Sequence, residues 1–150
     1  MIVPYDTFTA AFLSKITEYD ILLIDNENRT TIIDGYMKKA ISTFQHICEC
    51  DFITTADDTA RQYDTELTSD DDLTEIVDII SEGMVVYWMK PYVYKQELLE
   101  MVLNTRDFTT YSPAEMIHRM GEAYGKAQAD FTQMMREYSF NHCDLSTLHI

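Results

Sequence analysis

The sequence predicts a mainly α-helical protein: a bundle of four to five helices with one long C-terminal helix, a small β-hairpin insertion and an extended C-terminal arm. Three observations lead there. Apolar residues recur every three or four positions through most of the chain. The segment at about 48–70 drops that period and carries short β-favouring runs around the polar "ADDTA". From Ile117 to Tyr138 the apolar spacing runs 3-4-3-4-3-4, a seam sustained over three heptads. With 150 residues and 46% in the hydrophobic group, the chain is long enough for one core and short for two.

The first helix is expected from about Tyr5 to Tyr19, where Tyr5, Phe8, Phe12, Ile16 and Tyr19 share one face. "DILLIDNENR" interrupts it, with "DNEN" reading as a turn. A second helix follows from about Thr31, because Ile33, Tyr36, Met37, Ala40, Ile41, Phe44 and Ile47 keep an apolar stripe. A hairpin pairing roughly 50–55 with 61–65 comes next, and strands are expected only within about 48–67. Asp70, Asp71 and Asp72 suit a helix N-terminus, where the dipole welcomes negative charge. That third helix is expected to reach Lys90 and stop at Pro91, since the residue before a proline is pushed out of helical space. A short fourth helix is expected at about 94–103.

"YSPAEM" announces the long helix. Ser112 at the cap, Pro113 in the first turn and Glu115 reaching back to the Ser112 amide form a capping box. The seam then carries the helix to about Tyr138, roughly 39 Å at 1.5 Å per residue. Gly121 and Gly125 beside the seam imply a close backbone approach there. Residues 1–138 thus form one helical domain with an acidic hairpin or loop at about 48–70. Residues 139–150 form an arm whose Phe140, Leu145, Leu148 and Ile150 fall outside any periodic element, and so apolar a tail is expected to dock on a partner.

The net charge of −15 is unevenly placed: between Asp51 and Glu82 eleven acidic residues face one base, Arg61. Affinity for nucleic acid comes from lysine and arginine displacing counterions, so free DNA would be repelled. Lining a path along which DNA slides without sticking is compatible with such charge. No apolar run is long enough to span a membrane, and no basic region precedes an apolar one at the N-terminus, so a soluble protein made in a cytoplasm is expected. Cys48, Cys50 and Cys143 are an odd number, which fits reduced thiols.

The sequence offers no convergent catalytic set. The four glycines fall singly in helical patterns rather than in a phosphate-binding loop, and "DTELTSDDD" lacks the glycine and glutamate of a calcium loop. His46, Cys48 and Cys50 alternate, and extended backbone would put them on one face, but a zinc site needs a second ligand pair. Glu49 and Asp51 would raise the thiol pKa values, against a nucleophilic cysteine. The expectation is a protein without enzymatic activity, metal or cofactor.

The pattern "YDTELTSDDDLTEIVDIISEGMVVYWMKPYV", followed after a gap by "NTRDFTTYSPAEM", resembles the neck proteins of tailed bacteriophages, the head-tail connectors or adaptors. The resemblance rests on the acidic helix start, Trp88 with Pro91, Asp107 with Phe108, and Ser112 with Pro113. It implies a structural virion protein at the head-tail interface, assembled in the host cytoplasm into a ring, twelve-fold in the family. Its partners would be the portal protein and the next neck or tail protein, with packaged DNA passing through without specific binding. Phe140, Leu145, Leu148 and Ile150 are then the candidate portal-binding residues, and Asp57, Asp58, Asp64 and Glu66 the candidate channel-facing acids. The alternative is an acidic DNA mimic that blocks a host nuclease or restriction system. The nearly balanced long helix, with four acids and three bases, argues against carboxylates spread along one phosphate-like face.

Overall fold

The computed structural model describes residues 1–16, 26–94 and 113–142. In chain order the elements are β1 (Ile2–Pro4), α1 (Tyr5–Lys15), α2 (Asn26–Cys48), β2 (Ile53–Asp57), β3 (Gln62–Thr65), α3 (Asp70–Tyr94) and α4 (Pro113–His142). The architecture is the mainly helical one that the apolar periods call for, with a small antiparallel sheet ordered β1-β3-β2.

Helix α3 is the centre of the bundle and packs against α1, α2 and α4. Its buried stripe of Ile76, Ile80 and Met84 meets Phe8 and Phe12 of α1, Met37, Ala40 and Phe44 of α2, and Phe131 and Met135 of α4 in one core. Burying each large side chain contributes roughly 1.5–3 kcal/mol before ordering costs. Aromatic edges organise the joints: Phe12 meets Trp88 at 6.4 Å, and Phe44 meets Phe52 at 5.9 Å and Tyr138 at 5.0 Å. The close backbone approach falls at Gly83. A Cβ there would lie 2.6 Å from the Phe131 ring and 3.0 Å from the Ala40 Cβ.

The hairpin lies close to its expected place, at 53–57 and 62–65, with a bulge between Ile53 and Thr55. Strand β1 corrects the expectation that strands stay within 48–67. Ile2–Pro4 pairs antiparallel with β3, setting Val3 opposite Tyr63. Three residues are too short to show a period of two, so this strand had no sequence signal. It seats the buried Val3 and passes directly into α1, whose Tyr5 amide donates to the Arg61 carbonyl at 2.9 Å.

Four helix boundaries also differ. Asn26 to Thr30 are helical, so "NEN" opens α2 rather than making a turn. Helix α1 ends at Lys15, and residues 17–25, including Tyr19, lie outside the described part. Pro91 sits inside α3, which runs to Tyr94; so near the helix end, the ring removes one backbone donor without ending the run. Helix α3 is capped by Ser69, whose Oγ accepts from the Asp71 amide at 3.2 Å, ahead of the three aspartates. Helix α4 begins at Pro113 and continues to His142, four residues beyond Tyr138, so the first third of the expected arm is helix. The expected helix at 94–103 beyond Tyr94, Ser112 and the Glu115 side chain lie outside the described residues.

Candidate functional site

Three ion pairs gather where the hairpin tip meets α1 and α2: Lys38 with Asp58, and Arg61 with Asp6 and Asp34. Asp57 closes the tip: its Oδ1 accepts from the backbone amides of Thr59 and Ala60, both at 2.9 Å. The chain then turns through Arg61 with φ at 52°, a left-handed conformation that costs an L residue roughly 1–2 kcal/mol. The guanidinium explains why arginine is held there. Arg61 Nη2 and Nε donate to the two oxygens of Asp34 at 2.8 and 3.2 Å, and Nη1 donates to Asp6 at 2.8 Å. These bonds raise the Arg61 pKa above its ordinary value, the Asp34 fork contributing most.

A second knot lies beside the first. Lys38 Nζ and the Tyr5 hydroxyl both donate to Asp58 Oδ1 at 2.7 Å. The hydrogen bond from Lys38, then that from Tyr5, holds the Asp58 carboxyl below its usual range, and the same contact lifts Lys38. Burial, reinforced by Asp58, pushes the Tyr5 phenol far up. The two cations lie 5.9 and 5.8 Å from the Tyr5 ring centroid. Together these groups wall an open cleft of about 650 Å³ that also touches Glu27, Thr30, Thr31 and Gly35. Chemically, the arrangement is a clamp: each cation is already held by carboxylate, and the hairpin is pinned to both helices.

The four acidic residues expected to face a channel are all exposed, but they are not equivalent. Asp57 and Asp58 are engaged as described, Asp64 lies 3.7 Å from the Met1 amine, and the Glu66 side chain has no hydrogen bond or ion pair among the described residues. Sequence reasoning missed the clamp: Arg61 stands out as the one base among eleven acids, but its partners Asp6 and Asp34 lie on other elements.

The second surface is the outward side of α4. The helix turns Ala127, Phe131, Met135 and Tyr138 inward; Met135 is 1% exposed, while Met134 of the expected seam is partly buried. Phe140 is 74% exposed, the largest value among the exposed apolar side chains of the described residues, while Leu145, Leu148 and Ile150 lie outside them. Apart from α4's own backbone, no atom of the described residues lies within 4 Å of a Cβ built on Gly121 or Gly125, so the expected close approach is not made by the described residues, and α4 meets the core through its C-terminal half. Gln133 donates to Glu137 at 2.8 Å.

The alternating His46, Cys48 and Cys50 do not share a face, because α2 runs through Cys48 and turns at Glu49, φ 51°. The thiols meet α4 instead. Cys48 Sγ lies 3.5 Å from the Met135 carbonyl and Cys50 Sγ 3.7 Å from the Tyr138 hydroxyl. Burial pushes the Cys48 thiol pKa up, which makes it less reactive. Comparison with protein-family models, curated protein sequences and solved structures finds no match to this chain.

Proposed function

We propose that this chain is a structural protein of a tailed-phage neck, an adaptor whose copies form a ring between portal and tail. The observation that carries the reading is the presentation of Phe140. Ala127, Phe131, Met135 and Tyr138 fix the C-terminal half of α4 in the core, so that α4 delivers a 74% exposed phenylalanine to the end from which residues 143–150 continue. A rigid helix ending in an apolar knob suits docking on a large partner. The exposed Asp64 and Glu66 suit a wall that repels passing DNA. The DNA-mimic alternative draws less support, since Asp6, Asp34 and Asp58 are tied to Arg61 and Lys38 rather than offered in place of phosphates.

The test is capture by the portal protein of the same genome. Because α4 runs to His142, and His142 stacks on Tyr138 with ring centroids 4.0 Å apart, the cut belongs after His142 rather than before Ser139. Removing residues 143–150 together with Phe140→Ser is expected to abolish capture while circular dichroism stays helical. Capture at undiminished affinity would contradict docking through this end.

A further inference from the structure

We propose that two copies of this chain pair in solution through the outward faces of α4, with the helices antiparallel. The proposal does not rest on the neck assignment; the pair occupies Phe140, so it has to separate before that side chain docks on a portal.

Charge narrows the choice of surface. At −15, approach of two copies is repulsive over most of the molecule. The exposed side of α4 differs, because Glu122, Asp130 and Glu137 are interspersed with Lys126 and Arg136. Lys15, Lys38 and Arg61 are each held by a carboxylate within 4 Å. Lys126, Asp130 and Arg136, in contrast, have no ion-pair partner among the described residues. They are exposed charges with no ion-pair contact within 4 Å, although Glu122 and Asp130 lie one turn to either side of Lys126.

Register identifies the occupant as a second copy. At 3.6 residues per turn, Glu122, Lys126, Ala129, Gln133 and Phe140 lie opposite the buried Ala127, Phe131, Met135 and Tyr138. Lys126 and Glu137 fall on the same flank of that stripe. A two-fold axis perpendicular to α4, passing between the two helices at the level of Phe131 and Thr132, brings Lys126 of each copy level with Glu137 of the other. The two resulting pairs flank the axis, about 16 Å apart along the helix. Phe140 then comes level with Ala123 and beside Glu122 of the other copy, with Gly125 two residues further along the helix leaving room at the edge of the contact. Ala129, near the axis, lets the helices approach. Parallel pairing in register would instead set Lys126 against Lys126 and Glu137 against Glu137, which repels. Of these two arrangements, only the antiparallel one is self-complementary.

Sedimentation equilibrium of the full chain at low and moderate salt tests this. The wild type is expected to be a dimer that weakens with salt. Lys126→Glu should weaken association about tenfold or more by placing like charges together. Adding Glu137→Lys to that variant should restore the dimer, with circular dichroism unchanged throughout. A monomeric wild type, an assembly indifferent to Lys126→Glu, or a double variant that stays dissociated would each overturn the proposal.

Discussion

Arg61 grips Asp34 with two nitrogens, at 2.8 and 3.2 Å, from a backbone conformation that glycine would adopt more cheaply. The side chain and the backbone at this residue therefore pull in opposite directions. Arg61→Ala loses the fork and keeps the strain, leaving the half-buried Asp34 without its partner. It is expected to cost about 1–3 kcal/mol. Arg61→Gly loses the same fork but relieves the backbone, and should be more stable than the alanine variant by about 1 kcal/mol. Urea denaturation of both variants measures the difference, and equal stabilities would contradict the assignment of strain.

Two helical glycines should respond oppositely to alanine. Gly83→Ala drives a methyl against Phe131 and Ala40 in the core and is expected to destabilise by about 1–3 kcal/mol. At Gly35 nothing among the described residues lies within 4 Å, so Gly35→Ala should gain up to about 1 kcal/mol from helix propensity. Thermal melts of the pair provide the check.

The Asp58 clamp gives stability a dependence on acid. Its pKa is lowered on folding, by Lys38 and then by Tyr5, so its contribution is complete above the unfolded carboxylate value of about 4. The contribution disappears as pH falls through the lower folded value. Lys38 is raised, so its share is intact at neutral pH and is lost only in strong alkali. Below about pH 4 the hairpin should loosen from α2. In Asp58→Asn this part of the acid response should be absent, as read from urea midpoints across the acid range.

Reversing the hairpin acids should sort them by their partners. Asp64→Lys and Glu66→Lys are expected to change stability by less than about 0.5 kcal/mol. Asp57→Lys removes the acceptor for two turn amides, and Asp58→Lys sets a cation against Lys38. Each of these two should be measurably less stable than the Asp64 and Glu66 variants. If all four behave alike in denaturation, the clamp has no role in stability.

What the sequence revealed depended on the range of the interaction. The apolar stripes of α1, α2 and α3 were legible because Phe8 and Phe12, or Ile76 and Ile80, repeat at the helical period. Strand β1 was not, because its only reason to be extended is the β3 edge sixty residues away. Pro91 misled for a different cause: a steric rule that disfavours helix before a proline was applied in the last turn of α3, where the ring removes only one backbone donor and the helix runs on to Tyr94. The acidity of the hairpin was read correctly as a count but not as an arrangement. Nothing local to "ADDTAR" indicates that Arg61 reaches Asp34 and Asp6, or that Asp58 meets Lys38 and Tyr5.

The proposed function is that of a ring-forming adaptor docked on a portal. Electron microscopy of the full chain mixed with the portal protein of the same genome tests it most directly. Extra density is expected on one face of the portal, arranged with rotational symmetry, with the α4 end bearing Phe140 against the portal. Portal particles that remain bare at saturating concentrations of the folded chain would contradict it.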